Sequence, residues 1–193
     1  MHGKPDLTKI MVVEKQFPDI SNIKAKGFIL DIGGGGEGII GQQLGDQVIS
    51  IDLRKDELVD APSTNLKIVM DATDLQFLDE SFNTAAAFFT FMYFNQEIRE
   101  KALSEIYRVL KTGGKLLVWD VIIPSGSDDP KHEMFMVPVT VTLENGKEIN
   151  TGYGSPFKRH QTAEVYKKLA QKVGFKLTTE TSKDQMFYLE FTK

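Results

Sequence analysis

The sequence has no cysteine. That removes disulfides, thiolate nucleophiles and cysteine-ligated zinc from consideration, and it fits a cytoplasmic protein. Histidine is scarce, with His2, His132 and His160 only. None of them pairs with a second histidine and a nearby acid at metal-ligand spacing, so no metal site is read. Basic runs are also missing. The longest is Lys167-Lys168, and the net charge is -4, which argues against a nucleic-acid-binding face. No apolar run approaches the ~20 residues a bilayer span needs. Residues 1–9 lack a signal-peptide core, so neither a membrane nor export is expected. What is present is ordinary: 193 residues, 41% hydrophobic and 26% charged. These figures suit one soluble domain over 1–193 with a proper core. No repeat or linker divides it.

The pattern of elements is that of an α/β sheet. Leu7, Ile10, Met11, Val13 and Phe17 recur at helical spacing up to Pro18, which predicts a short amphipathic helix. Phe28 to Ile32 reads as a buried strand, followed by four glycines, Glu37, Gly38 and a helix closed by Gly45. Gln47–Asp52 and Leu66–Met70 are strands that each end beside an acid, Asp52 and Asp71. A short helix over Asp56–Ala61 lies between them. Thr84–Phe89 is a fourth strand. Ile98, Ala102, Leu103, Ile106, Val109 and Leu110 form one apolar helix face, with Gly113 and Gly114 as its expected C-cap. Lys115–Ile123 is a fifth, central strand. A helix capped by Thr162 and ended by Gly174 precedes two terminal strands, Phe175–Thr181 and Gln185–Thr192. Between the fifth strand and that helix, Phe135, Val137, Val139, Val141 and Leu143 alternate with polar or bulky residues. Asn145-Gly146 then turns the chain back over Lys147–Asn150. This is a hairpin. Pro138 confines its strand to an edge or bulge, and Thr151–Pro156 reads as a flexible loop.

The glycine turn admits three explanations. Gly33-x-Gly35-x-x-Gly38, with Asp52 19 residues after Gly33, matches a dinucleotide fingerprint. Glycines also simply permit close helix–strand packing. Charge favours a third. Asp31, Glu37, Asp52 and Asp71 fall along the strand-end edge where ligands bind. Glu37 occupies the helix start that a pyrophosphate would need. A cationic adenosyl cofactor, with a sulfonium, an ammonium and a ribose diol, suits four carboxylates better.

In this order, Ile29–Gly38, Ile51-Asp52, Met70-Asp71-Ala72-Thr73, Asp79–Phe82 and Glu105–Val118 (Glu-Ile-Tyr-Arg-Val-Leu-Lys-Thr-Gly-Gly-Lys-Leu-Leu-Val) resemble the motifs of class I S-adenosylmethionine-dependent methyltransferases. The resemblance covers about residues 27–120. It implies a Rossmann-like three-layer sandwich: a seven-stranded, mostly parallel sheet with an antiparallel last strand, here with an inserted β-hairpin. It also implies S-adenosylmethionine as cofactor. Gly33 and Gly35 would lie against the cofactor, Asp31 near its amino-acid end and Asp52 on the ribose. Leu53 would follow that acid, Asp71 and Ala72 would sit at the adenine, and Thr90 would stand after the fourth strand. Two departures stand out. The family's third turn glycine is Glu37 here, with Gly38 one residue later, and the usual acid after Ser81-Phe82 is Asn83.

The function read from this is methyl transfer to a small-molecule acceptor by in-line displacement. The aromatic stretch Thr90–Asn95 and the hairpin 135–150 would border and cover the acceptor. Tyr153, His160, Asp120 and His132 are the side chains that could take a proton. Alternatives are a non-catalytic S-adenosylmethionine-binding module of the same fold and an NAD(P)-dependent oxidoreductase. For the latter, Tyr153 lacks a lysine four residues on, where Phe157 stands. No Asn-Pro-Pro-Tyr-like segment follows the fourth strand to suggest nucleic-acid methylation. A homodimer stays open.

Overall fold

A computed structural model describes residues 7–21, 23–24, 26–125, 131–157 and 160–193. In chain order its strands are β1 (Ile10–Val12), β2 (Ile29–Ile32), β3 (Val48–Asp52), β4 (Leu66–Val69) and β5 (Phe82–Phe88). They continue with β6 (Leu110–Val121), β7 (Met134–Thr142), β8 (Glu148–Pro156), β9 (Lys176–Lys183) and β10 (Met186–Thr192). The helices are α1 (Ile39–Leu44), α2 (Lys55–Asp60), α3 (Gln96–Val109) and α4 (Ala163–Val173). Seven strands form the central sheet in the order β4-β3-β2-β5-β6-β10-β9. β4, β3, β2, β5 and β6 run parallel, and β10 is antiparallel to both its neighbours. All four residues of β2 are buried, as expected for a strand covered on both faces. No described helix is long and apolar enough to cross a membrane.

One face of the sheet is covered by helices. Leu103, Ile106 and Val109 of α3 and Tyr166, Leu169 and Ala170 of α4 pack on Leu30, Ile32, Ala85, Ala87 and Val118. The other face is covered differently. Ile39 and Ile40 of α1 share it with a second, three-stranded sheet ordered β1-β7-β8. Phe135, Val137, Val139 and Val141 of β7 are fully buried against Ala86, Leu117, Trp119 and Val121. Each contributes roughly 1.5–3 kcal/mol by leaving water. The outer layer is therefore partly sheet, because the period-2 pattern of β7 offers a whole apolar face.

Several elements differ from expectation, each for a physical reason. The predicted N-terminal helix is a 3₁₀ turn at Leu7–Lys9 followed by β1, which pairs parallel with β7 from Ile10↔Met134. Ile10, Val12 and Val13 are β-branched, and a long-range strand partner outweighs their local spacing. Phe28, expected in the buried strand, is 59% exposed. β8 absorbs the expected loop 151–156, with partners down to Met134↔Pro156. Pro138 lies inside the central strand of the small sheet. Its missing N–H falls where the N-terminal segment bulges between Val13 N→Met136 O and Gln16 N→Pro138 O. α3 ends at Val109, before the glycines, and Gly113 and Gly114 shape the irregular entry of β6 instead. Asn95 caps α3 by accepting from Ile98 N, whereas Thr162 makes no capping bond. On α3, Ile98 is 38% exposed and Arg99 is buried in its place.

Two polar knots hold the helical face. Arg108 donates to Leu75 O, Phe77 O and Asp79 Oδ1 and to both carboxylate oxygens of Glu105, while Glu105 Oε2 accepts from Leu75 N. The pair pins the β4–β5 connection to α3, which explains an arginine in that motif. Deeper, Arg99 donates to Phe91 O, Phe94 O and Gln161 Oε1, with its guanidinium 4.6 Å above the Tyr166 ring. Asp120 is fully buried. It accepts from Gln161 Nε2 and Val121 N on one oxygen, and its other oxygen lies 2.9 Å from the Tyr166 hydroxyl. Burial pushes this carboxyl up to about 6 against the pull of those donors and of Arg99.

Arg108→Ala is expected to cost about 2–3 kcal/mol, because Glu105 and two carbonyls lose a charged donor. Arg108→Lys recovers less than half, since an ammonium lacks the planar fork. Urea midpoints measure both, and hydrogen exchange over 73–79 should accelerate. The Asp120 carboxyl binds its proton more tightly in the folded state. Stability should therefore fall as pH rises from about 4 to about 6, and the buried carboxyl of Asp31, raised to about 7, carries the fall on to about 7. Asp120→Asn removes its share of that slope and leaves the share of Asp31, which urea melts at pH 4.5 and 7 would read.

Candidate active site

The carboxyl ends of β2, β3, β4 and β5 converge on the glycine turn, residues 33–38. Gly33 N and Gly34 N both donate to Ile51 O, at 2.8 and 3.0 Å. Gly36 N donates to Glu57 O of α2, and Gly38 N to Gly35 O. These four N–H groups are spent on protein carbonyls and are not gathered toward an anion. The glycines are required by packing. A side chain at Gly33, where φ is +72°, would collide with Thr90. At Gly34 it would collide with Asp31 and Ser50, and at Gly35 with Glu57 and Asp52. Close packing, one of the three explanations of the turn, accounts for Gly33, Gly34 and Gly35.

Around the turn stand the predicted acids. Asp31, 2% exposed, accepts from Ser50 Oγ at 3.0 Å. Burial drives its carboxyl up to about 7, and the charge of Asp52 adds to the rise. Asp52 ends β3; its Oδ1 accepts from Arg54 N, and its Oδ2 faces Gly35. Leu53 beside it is 68% exposed. Asp71 is exposed, and its Oδ1 accepts from Thr73 N and Thr73 Oγ1, a turn-capping role. Ala72 is half-buried on the helical side. Thr90 is 7% exposed; its hydroxyl donates to Ile32 O and its methyl abuts Gly33, so it buttresses the turn.

Glu37 reaches away from the turn to the small sheet, where its Oε1 accepts from Thr151 Oγ1 at 2.5 Å. Next along β8, Tyr153 stacks on Phe89 with ring centroids 4.9 Å apart and planes 7° from parallel. Burial, reinforced by the charge of Glu37, raises the Tyr153 phenol well above 10. Tyr93, 42% exposed, is the outward member of the aromatic stretch, while Phe91 and Met92 are fully buried. Its phenol accepts from the Gly154 backbone, and burial pushes it to about 12. Phe89 holds φ +50° at the end of β5, a strained value for an aromatic residue. Of the other proton-acceptor candidates, Asp120 has both oxygens engaged in the core. His160 is exposed, with Nδ1 3.0 Å from Ile123 O. His132 stands beside Phe157.

The structure thus brings Asp31, Gly33, Gly35, Asp52 and Thr90 together. It adds Tyr93, Glu57, Thr151, Ser50 and Asn65, which sequence reasoning did not single out as site residues. Tyr93 lay inside the flagged aromatic stretch. Ser50 lies two residues before the strand-end acid Asp52, and Asn65 and Glu57 carry no pattern that marks them.

Residues 30–118 match the family model described as a methyltransferase domain. An O-methyltransferase of Pyrenophora dematioidea is 35% identical over 89 residues, 44% of this chain and 33% of that protein. A demethylmenaquinone methyltransferase of Bacteroides fragilis is 33% identical over 112 residues, 54% of this chain and 44% of that protein. The chain therefore spans less than half the length of these curated relatives. Among solved structures, an S-adenosylmethionine-dependent methyltransferase from Methanosarcina mazei superposes with a TM-score of 0.66, at 17% identity over 89% of this chain and 94% of that one. Another such enzyme, from Mesorhizobium loti, gives 0.62 at 12% identity over 89% and 94%. With its strand order, its glycine turn and its strand-end acids, the chain carries over residues 30–118 a segment that matches a methyltransferase domain, and it shares the fold of S-adenosylmethionine-dependent methyltransferases.

Proposed function

We propose that the protein transfers the methyl group of S-adenosylmethionine to a small-molecule acceptor. The observation that carries this is the chemistry of the turn. The N–H groups of Gly33, Gly34, Gly36 and Gly38 are satisfied by protein carbonyls, while Asp31 and Asp52 flank the turn with carboxylates. A pyrophosphate would meet repulsion and few donors. A cofactor with an ammonium, a sulfonium and a diol meets acceptors. The relatives support an acceptor of small-molecule size, since one is named for demethylmenaquinone and another for O-methyl transfer.

In this reading Asp52 accepts from the ribose hydroxyls through Oδ2, and exposed Leu53 offers an apolar face to the adenine. Asp71 and Ala72 border the adenine edge, and Asp31 faces the cofactor's amino group. Gly33 and Gly35, held by Thr90 and α2, set the depth of the cofactor's seat. The bound cofactor supplies a methyl group already activated by its sulfonium. The chain's own task is alignment and exclusion of water, which proximity makes worth ~7–11 kcal/mol. The β7–β8 hairpin covers the acceptor side, and its support is the Glu37–Thr151 bond and the Tyr153–Phe89 stack. Tyr93 and Tyr153 stay protonated at neutral pH, because both phenols are shifted upward. They border the acceptor as neutral rings and do not take its proton.

Calorimetry with S-adenosylmethionine tests the cofactor site. Asp52→Ala should weaken binding roughly 10–100-fold, the value of a charge-assisted bond of about 1.5–3 kcal/mol. Equal affinity in the variant would remove the assignment. Turnover is followed as S-adenosylhomocysteine released across a panel of hydroxyl, amine and carbon acceptors; binding without release from any of them would identify a non-catalytic module. Once an acceptor is found, Tyr153→Phe should keep activity within about threefold and Tyr153→Ala should lose tenfold or more, the mark of a wall rather than a base. A collapse in Tyr153→Phe with loss of the alkaline limb of the rate profile would assign the proton to Tyr153.

A further inference from the structure

Asp31, Ser50 and Asn65 form a chain of three buried polar side chains, 2%, 0% and 5% exposed. Asn65 Nδ2 donates to Ser50 Oγ at 2.9 Å and to Leu66 O at 3.1 Å, which occupies both amide protons. Ser50 Oγ lies 3.0 Å from Asp31 Oδ2. The direction of the chain follows from chemistry. An amide nitrogen only donates, so Ser50 Oγ must accept from Asn65, and its own proton is then directed to Asp31. Backbone register sets this up, since Asp31 and Ser50 are cross-strand neighbours in the β2–β3 pair. Two glycines make room for it. A side chain at Gly34 would strike Asp31 and Ser50, and one at Gly41 would strike Asn65 Oδ1 and Ser63 Oγ. Gly41 sits inside α1, where glycine costs roughly 0.5–1 kcal/mol relative to alanine. The packing of Asn65 supplies the reason for it.

We propose that Ser50 and Asn65 are positioning residues of the cofactor site: their one-way chain holds Asp31 as an oriented carboxylate facing the cofactor's amino group. This rests on the methyl-transfer reading of the site. Burial works against the ionised form, and Asp52 on β3 adds a like charge. The other titratable groups toward this end are Glu37 of the turn, Glu57 of α2, Tyr93 after β5 and Tyr153 of β8, with the exposed cation Arg54 paired to Glu57. α1 and β5 contribute none. The Ser50 hydroxyl is the donor that opposes the rise. Without it, Asp31 holds its proton to higher pH and offers the ammonium no charge.

The test is calorimetry of the full chain with S-adenosylhomocysteine, whose amine is more basic than that of the sulfonium cofactor, between pH 5.5 and 9. Wild-type affinity should rise with pH through a midpoint near the Asp31 value of about 7. Ser50→Ala should move the midpoint up by about one unit, weaken binding about fivefold at pH 7, and converge on wild type at the alkaline end. Asn65→Leu should shift it the same way by less. Weakening by one factor at every pH, with the midpoint unmoved, would overturn the proposal and leave Ser50 a packing residue. Carboxyl-carbon NMR of Asp31 in the unliganded wild type and in Asn65→Leu keeps the question open to refutation if Ser50→Ala does not fold. Equal Asp31 titration in the two overturns the chain. Failure of wild type to bind S-adenosylhomocysteine at any pH would defeat the cofactor reading and the proposal with it. An Asp31 shift in that case would still show the chain acting on the carboxyl, which separates the two failures.

Discussion

The Ile51 carbonyl accepts from two consecutive amides, Gly33 N and Gly34 N, and this shared acceptor pins the glycine turn to the end of β3. Everything at the ligand edge is positioned by that contact. It draws the turn so close that Thr90, Ser50, Asp31, Asp52 and Glu57 all press against glycine Cα atoms. It also consumes N–H groups that a dinucleotide turn would present to phosphate. The same bond thus fixes the shape of the site and selects against an anionic ligand.

The scaffold around the turn is fastened from both faces. On the helical side, Glu105 and Arg108 hold the connection that carries Asp71 and Ala72, and the Arg99–Gln161–Asp120–Tyr166 knot ties α3, β6 and α4 together. Asp120 has partners on both oxygens, while Arg99 Nε is buried without one. On the other face a small sheet takes the place of helical cover. Its last strand passes the turn, so Thr151 and Tyr153 reach the site from a part of the chain more than a hundred residues later. Glu37, where the family has a glycine, is the side chain that spans the gap.

Much of this was legible because it is local or periodic. The order of strands and helices follows from apolar period, and Asp31, Asp52 and Asp71 were visible as acids at strand ends. The misreadings share one cause, which is competition from distant partners. The N-terminal segment has helical spacing, yet β7 supplies a ladder that a lone short helix cannot match. Gly113 and Gly114 look like a helix cap, yet Leu110 is already drawn into β6. Ile98 fits the helical stripe, but Arg99 takes the buried place because Phe91 O, Phe94 O and Gln161 Oε1 are there to receive it.

The sequence by itself determined the α/β class, the position of the glycine turn and the sign of the charge around it, since each depends on residues near one another in the chain. It also carried the family motifs, whose spacing is set by one strand–turn–helix unit. Only the tertiary structure decided why the glycines are needed, which is packing against Thr90, Ser50 and α2. It alone made Asp120 a core carboxylate, turned Glu37 toward Thr151, and joined Asp31 to Ser50 and Asn65. Those outcomes depend on which side chains meet across strands, and a polar residue's pattern in sequence does not record its partner.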